Sequence, residues 1–442
     1  MKRILKTIVS ISCAVLSVFG LTACNTTSSG VDVIGKPDNV TDMDNNERNE
    51  NKFADIHESA ENFASNFAAI AYKQYDSEEN FAVSPLSVYM ALSIAAQCSA
   101  GETQSEILST LGMTYDNLNA EFSDYYRSVF AEYTARLENN EIVQTGVINL
   151  TNSVWLDSHT NPKQECIDTL ADKFFCYSYR ADFVDDNENA NKAVREFVKE
   201  NTKGLIDKDF ALSAETVFAL INTLYLKDCW NTTGRDLPFT DKNYDFLQND
   251  GSIKSIKLLH GYSNYGQVVE GDDYSTFFTK TNNGNKIDFI LPKEGYGIDD
   301  VFTAENIEKV KSLTSYNGVN HEKKQRYYTS CLFPEFTATY DEQIGSILAK
   351  MGITTLFDSK KCDFTGLTDD YAVCGNITHT TKLTVDRKGI EGAAVTIMPS
   401  PGAAGPDEYE DVYLNFVVDK AFGFIISDRY GNTLFSGVVK NI

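Results

Sequence analysis

The sequence predicts an α+β protein whose structured part is one large domain. Apolar patterns of helical spacing concentrate early in the chain and strand-like segments late, with both kinds mixed between them. Of the 442 residues, 42% are apolar and 12% aromatic, which supplies a large core and excludes general disorder. We find no internal repeat and no Pro-rich or Ser-rich linker inside this domain.

The first 24 residues have the parts of an export leader. A basic start precedes an uncharged apolar run over residues 7–21, which is shorter than the roughly 20 residues that span a membrane. The run ends in Leu21-Thr22-Ala23-Cys24, which resembles a bacterial lipobox. The resemblance implies that residues 1–23 are a signal peptide and that a lipid on Cys24 holds the domain at the outer cell surface. Ordinary secretion, with Cys24 incidental, is the alternative.

The charge balance limits the partners. Lys and Arg number 39 and Asp and Glu 63, a formal net charge of −24. Nucleic acid is disfavoured as a partner, because phosphate binding needs a basic surplus. Residues 24–52 are polar and acidic, and we predict that they form a flexible tether between the lipid and a domain at 53–442.

Four helices are predicted. Apolar residues three and four apart favour a helix over 53–70. Ser84 and Pro85 suit the cap and first turn of a second helix, which is apolar nearly all round and should be buried. A capping box at 103–106 predicts a third helix, and 341–351 a fourth that stops at Gly352.

The strands follow from runs of β-branched and apolar residues. Alternation predicts a strand over 143–156. The nearly continuous apolar run 217–226 predicts a central strand that is buried on both faces. Later strands are predicted at 289–292, 382–386, 414–418, 422–427 and 433–439, with the last turn at 428–432.

The motifs of common enzymes and metal sites are absent from the sequence. It has five His and no His-Glu-x-x-His, no Gly-x-Ser-x-Gly and no phosphate-binding loop. None of its nine Cys forms Cys-x-x-Cys, so a zinc site is disfavoured. We predict buried thiols, with the pairing of the seven Cys beyond the leader left open. We therefore expect no cofactor and no metal, although a dispersed triad in a surface hydrolase stays an alternative.

Several segments in register resemble the serpin family. They are residues 80–87 (Asn-Phe-Ala-Val-Ser-Pro-Leu-Ser), 100–108, 216–222 followed by Lys227 and Trp230, 289–292, 333–336 and 434–437. The resemblance covers about residues 53–442. It implies a fold of three β-sheets with about nine helices and an exposed reactive loop. It also implies a monomeric protease inhibitor rather than an enzyme: a serine protease cuts the loop, becomes acyl-linked to it, and is trapped as the loop inserts into the large sheet.

The resemblance assigns roles to five residues outside the loop. Ser84, Ser87, Asn222 and His379 match the family's shutter, where the large sheet opens. Trp230 matches the tryptophan of the breach, where the inserting strand enters. The alternative is that the first four are satisfied buried polar residues and that Trp230 is an ordinary core aromatic.

The resemblance also identifies a loop hinge. Its residues are Gly389, Ile390, Glu391, Gly392, Ala393, Ala394, Val395 and Thr396. In an inserted strand alternate residues face the core, here Ile390, Gly392, Ala394 and Thr396, all uncharged. The sequence departs from the family at Arg387, where an acid is usual, and at Ile390, where Thr or Ser is usual. Pro399 and Pro401 each remove a donor from the ladder of an inserted strand.

Two counts place the reactive bond differently. Counting forward from Gly389 gives Ala403-Ala404, whose small side chains suit an elastase-like protease. Counting backward from Phe422 gives Glu410-Asp411, and we prefer the forward count because inhibition depends on insertion length. The acidic residues between 407 and 411 would attract a basic protease or simply keep the loop soluble. The sequence therefore favours an inhibitor of an elastase-like serine protease; a non-inhibitory serpin-fold binding protein or plain protease substrate is the alternative.

Overall fold

The structure is a computed structural model that describes residues 30–442 except 51, 137–141, 215, 231–235, 314–317, 375–376 and 392–408. The leader, Cys24, hinge residues 392–396 and the bond Ala403-Ala404 lie outside the described residues. The described residues contain one 3₁₀ turn, Thr355–Phe357, and ten α-helices. The helices are α1 Asn45–Asn49, α2 Ala54–Gln74, α3 Pro85–Cys98, α4 Gly101–Leu111, α5 Tyr115–Val129, α6 Gln164–Phe174, α7 Asn187–Asn201, α8 Ile298–Val301, α9 Ala304–Lys311 and α10 Gly345–Lys350.

Twenty strands are described. They are β1 Val31–Gly35, β2 Phe81–Val83, β3 Ala131–Arg136, β4 Ile142–Asp157, β5 Cys176–Ala181, β6 Phe218–Cys229, β7 Tyr244–Leu247, β8 Ile253–Ile256, β9 Leu259–Tyr265, β10 Val269–Glu270, β11 Tyr274–Lys280, β12 Lys286–Pro292, β13 Val319–Asn320, β14 Gln325–Phe333, β15 Phe336–Gln343, β16 Thr378–Val385, β17 Gly389–Ile390, β18 Glu410–Val417, β19 Phe422–Ser427 and β20 Thr433–Val439.

The strands form three sheets, so the predicted α+β class is confirmed. The large sheet has the order β1-β5-β4-β6-β17-β16-β15-β2-β20-β19-β12-β11-β10, with β3 paired to β4. A second sheet has the order β13-β14-β18, with β9 also on β14, and β7 and β8 form the third. One core cluster extends from α2 and α3 beneath the large sheet to β19 and β20.

Helix α3 lies inside this core, as its sequence predicted. All fourteen of its residues are buried, because it packs between the large sheet and helices α2 and α4. Ser84 is its N-cap, and its hydroxyl accepts a hydrogen bond from the Ser87 amide at 3.3 Å. The amino end of α3 is thereby fixed under the middle of the sheet.

Two predicted helix positions were wrong. Helix α4 begins at Gly101, so Thr103 is inside it and does not cap it; the Glu106 carboxylate instead accepts the amides of Thr354 and Thr355. The predicted helix over 341–351 begins only at Gly345. Residues 341–343 extend β15 and pair with residues 378–380 of β16, because sheet pairing outweighs their weak helical pattern.

The prediction of a flexible tether over 24–52 was wrong for residues 31–50. Strand β1 pairs antiparallel with β5 and extends the large sheet, from Val31 opposite Ala181. Helix α1 is fixed by its last turn, where the Arg48 side chain is 9% exposed and donates to the carbonyl of Ser128 at 2.7 Å. The hydrogen bonds and sheet edge that hold this acidic segment are supplied by distant parts of the domain, which the local composition does not reveal.

The described chain has two further general features. Its seven cysteines, from Cys98 onward, are thiols rather than disulfides, and Cys362 is half-buried while the other six are buried. Among the described helices, none combines the length and apolar character needed to cross a membrane.

Candidate functional site at an opening in the large sheet

The large sheet has an opening between β6 and β16. In the described residues these strands are joined only through the two residues of β17: Ile390 lies opposite Asp228 of β6 and Val385 of β16. At the other end, Phe218 forms an isolated bridge with Cys374. Between these ends is a cavity of about 460 Å³, lined by both strands and by the amino end of α3. We call it the sheet opening.

The sheet opening explains why one strand prediction was partly wrong. The run 217–226 was expected to be buried on both faces, yet residues 219–222 and 224 of β6 are only half-buried. One edge of β6 pairs with β4 from Phe218 to Asp228. The other edge has no described strand partner below Asp228. Its backbone groups therefore face a space that an extended segment can fill by strand pairing.

The predicted shutter residues meet at the middle of the sheet opening, at the amino end of α3. Asn222 of β6 accepts a hydrogen bond from the Ser87 hydroxyl, and its own amide donates to Asn152 of β4. His379 of β16, across the opening, accepts the Ser84 amide at its Nε2 atom, at 3.0 Å. Ser84 and Ser87 thus connect both sides of the opening to one helix end.

The environment of His379 favours its neutral form. The side chain is 7% exposed, and burial lowers its pKa to about 4. Its ring contacts Phe67 and Tyr340, with centroids 6.1 and 5.9 Å away. Because Nε2 accepts the Ser84 amide, the ring carries its hydrogen on Nδ1. Protonation of Nε2 would place two donors against each other and break this connection.

Trp230 lies at the β17 end of the opening, as the breach assignment implies. It is 3% exposed, its ring contacts Phe333, and its indole Nε1–H donates to the carbonyl of Asp386 at 2.6 Å. Its amide donates to the carbonyl of Lys388 at 3.3 Å. These bonds hold the turn 386–389, which precedes the predicted hinge, against the end of β6.

Three of the predicted hinge residues are described, and two of them already belong to the sheet. Gly389 is at a close backbone contact: a Cβ there would lie 2.0 Å from the carbonyl oxygen of Asp228. Ile390 is fully buried, on the core side of β17. Glu391 points to the other face, where its carboxylate accepts the Tyr225 hydroxyl at 2.8 Å, and burial raises the pKa of Glu391. The hinge is therefore fixed up to Glu391.

The sequence did not indicate the polar cluster around Asp228. This carboxylate is buried beside Ile390 and accepts hydrogen bonds from Thr281 at 2.5 Å, Asn283 at 2.6 Å and Asn285 at 2.7 Å. Burial raises the pKa of Asp228 to about 6 against the effect of these bonds. A charged residue at 228, ending a long apolar run, was the only available signal. The cluster fixes the end of β6 that pairs with the hinge.

One group of described residues has the donors and proximity for a metal ion, namely Asp157, His159 and Asp182. It lies where β4 ends, at the end of the large sheet opposite β17. The Asp157 carboxylate accepts the amides of His159 and Phe183 at 2.9 and 3.0 Å and the His159 ring at 2.8 Å. These bonds give the Asp157 carboxylate a structural role, because it caps the turn that contains His159.

The fold agrees with the comparisons to known proteins. The family model described as serpin (serine protease inhibitor) matches residues 58–442. Human neuroserpin is 26% identical over 384 residues, covering 82% of this chain and 86% of neuroserpin. Human thyroxine-binding globulin is 25% identical over 387 residues, covering 85% and 88%. The crystal structure of tengpin, a thermophilic serpin, in its native state matches with a TM-score of 0.67 at 22% identity, covering 93% and 100%.

The chain therefore belongs to the serpin family. Members of this family are generally protease inhibitors rather than enzymes.

Proposed function

We propose that this serpin is a suicide inhibitor of an elastase-like serine protease. The observation that supports the proposal best is the sheet opening, whose two long edges have no described strand partner while Gly389 and Ile390 already pair at one end. A cut loop can continue from β17 along both edges. Each added residue then exchanges water for ladder hydrogen bonds and buried contacts, which provides the free energy for trapping.

The register of β17 predicts where an inserted loop would lie. Continuing six residues beyond Ile390, in the antiparallel sense, brings Thr396 opposite both Asn222 and His379. All three side chains would be on the core side, because Ile390 is. Full insertion would thus place a hydroxyl between the two halves of the shutter.

The same register limits the effect of the two prolines. In an inserted loop Pro399 would lie opposite Ala219, near the far end of β6, and Pro401 opposite Val217, which precedes the first residue of that strand. Most of the ladder is therefore formed before either proline is reached. This supports insertion over most of the opening despite the missing donors.

The chemistry of trapping begins as ordinary proteolysis at Ala403-Ala404. The serine Oγ of the protease forms an ester with the carbonyl carbon of Ala403, and the C–N bond breaks as the amine of Ala404 takes up the proton. Insertion would then move the ester-linked protease along the sheet before water attacks the ester. The serpin contributes the substrate segment and the sheet opening.

The test is to incubate the mature chain with a neutrophil-type elastase and examine the mixture on a denaturing gel. We expect a band at the summed mass, and mass spectrometry should place the cut at Ala403-Ala404. Ala394→Glu should convert the inhibitor into a substrate, because Ala394 would face the core. Ala393→Glu is the matched control, since Ala393 would share the outer face with Glu391. Cleavage without a complex for the unchanged chain would refute elastase inhibition.

A non-inhibitory role is the second candidate, favoured by the similarity to thyroxine-binding globulin. Thermal unfolding of the cleaved and the uncleaved protein distinguishes the two candidate functions. A loop that inserts after cleavage gives a large gain in thermal stability, whereas a loop that stays out gives none. A protease panel together with this comparison would distinguish a wrong target from a non-inhibitory serpin.

We also propose that Cys24 carries a lipid that attaches the protein to the outer surface of a bacterial membrane. The support is the leader and the Leu21-Thr22-Ala23-Cys24 sequence. In cells, Cys24→Ser should move the protein from the membrane fraction to the medium. An unchanged membrane fraction would contradict the proposal.

A further inference from the structure

Three tyrosines form a continuous ladder across the second sheet. Tyr328 of β14 lies directly opposite Tyr265 of β9 on one side and Tyr413 of β18 on the other. The Tyr328 and Tyr413 rings are stacked with centroids 5.5 Å apart, and the Tyr265 ring meets Tyr328 edge-on at 5.7 Å. The strand register thus aligns the rings in one row, which we call the tyrosine ladder.

The tyrosine ladder is on the outer face of its sheet. Tyr413 is 70% exposed and Tyr265 50%, whereas Tyr327 and Phe416, on the opposite face, are buried. The ladder is also closely supported, because a Cβ at Gly318 would lie 2.2 Å from the Tyr265 ring. Rigid tyrosines that combine an apolar ring with a polar hydroxyl are typical of protein interfaces.

The tyrosine ladder adjoins the reactive loop. Tyr409 is the first described residue after the loop, and β18, which carries Tyr413, begins at Glu410. The six residue-to-residue steps from Ala403 to Tyr409 reach at most about 20 Å. A serine protease of typical size has a radius of gyration of about 17 Å and so a diameter near 45 Å. A protease bound at Ala403-Ala404, or at the alternative bond Glu410-Asp411, therefore comes within reach of the ladder.

We infer that the tyrosine ladder is a secondary docking surface for the target protease. It would contact the protease beside the part of its cleft that holds the residues after the cut bond. The inference rests on the proposed function and adds a second recognition element to it. The ladder would strengthen the first, non-covalent complex and thereby raise the rate of inhibition, without taking part in loop insertion.

The charges around the ladder indicate the chemistry of its partner. Glu410 and Asp411 are at the exposed start of β18, where the charge of Asp411 is balanced by an ion pair with Arg326 at 2.7 Å. Tyrosine faces attract cations, and the chain as a whole has a net charge of −24. The surface therefore fits a protease that presents apolar side chains together with Arg or Lys beside its active-site cleft.

The test measures the second-order rate of inhibition of a neutrophil-type elastase by the full mature chain. We expect Tyr413→Ala and Tyr265→Ala each to lower this rate about tenfold, with the stoichiometry of inhibition and the thermal midpoint unchanged. The matched control is Tyr371→Ala, because Tyr371 is 71% exposed and lies near Cys374, at the opposite end of the sheet opening. The control should inhibit at the unchanged rate.

The possible outcomes separate the docking surface from the proposed function. If the unchanged chain forms a complex and both ladder variants inhibit as fast as it does, the docking surface is refuted and the inhibitor stands. If no protease of a panel forms a complex, both are refuted. Self-association in ultracentrifugation, or binding of soluble glycans, that is lost in Tyr413→Ala would assign the ladder to another occupant and overturn the proposal.

Discussion

Acidification should weaken the shutter through His379. The imidazole has an ordinary pKa near 6.5 in the unfolded chain, and burial lowers it to about 4 in the folded protein. The unfolded chain therefore binds the proton more tightly, so stability is lost as the pH falls from about 6.5 to 4. A difference of this size corresponds to about 3 kcal/mol in full, and to about 2 kcal/mol between pH 7 and pH 5.

The assay is urea unfolding at pH 7 and pH 5, followed by circular dichroism. At a slope of about 2–3 kcal/mol per molar urea, the His379 contribution to the shift in midpoint is roughly 0.7–1 M. His379→Gln removes the titration but keeps an oxygen that can accept the Ser84 amide. Its midpoint should therefore shift less between the two pH values, by the amount attributed to His379. All other titrating groups are common to both proteins.

The matched control is His260→Gln, because His260 is exposed. This variant should keep the full pH dependence of the unchanged chain. If His379→Gln lost as much stability as the unchanged chain on acidification, the loss could not come from His379. A directly measured pKa near 6.5 for His379 in the folded protein would refute the reasoning as well.

Two further changes test the contacts that hold the amino-terminal segment and the turn before the hinge. Arg48→Ala removes the hydrogen bonds to the Ser128 and Met43 carbonyls, so the free energy of unfolding should fall by about 1–3 kcal/mol. Residues 30–50 should then become more sensitive to digestion by proteases. Resistance equal to that of the unchanged chain would contradict this prediction. Trp230→Phe removes the indole donor to the Asp386 carbonyl and leaves a smaller ring, so the free energy of unfolding, obtained from urea titration, should fall by at least about 1–2 kcal/mol. An unchanged midpoint would show that this bond contributes nothing.

The sequence predicted those elements whose stability is local or strongly patterned. Helix α3 could be predicted because Ser84, Pro85 and an unbroken apolar run each point to a buried helix. The strands from 422 to 439 could be predicted from their runs of apolar and β-branched residues and the turn between them. By contrast, 341–343 have a helical pattern but pair with β16, and tertiary pairing of this kind has no signal within a short window.

The candidate site was predictable only in its parts. Ser84, Ser87, Asn222 and His379 are more than 290 positions apart at their extremes, and the resemblance brought them together, not their spacing. The bonds from Asn222 to Asn152 and from Tyr225 to Glu391 were missed, because an isolated polar residue in a strand does not indicate its partner. The sheet opening itself is an absence of pairing on two edges, which composition and periodicity do not report.

The pairing of β1 has a consequence for how the anchored molecule would stand. Val31 is seven positions after Cys24 and lies beside Ala181, at the end of the sheet where β6 begins. A lipid on Cys24 would therefore hold this end of the sheet within about 25 Å of the bilayer. Loop insertion would move the acyl-linked protease roughly 36 Å along β6, toward the same end of the sheet. The gap between this end of the domain and the bilayer would be smaller than the protease, so a fully trapped complex on a membrane would have to rotate. Trapping would thus turn a serpin that stands upright on the membrane onto its side.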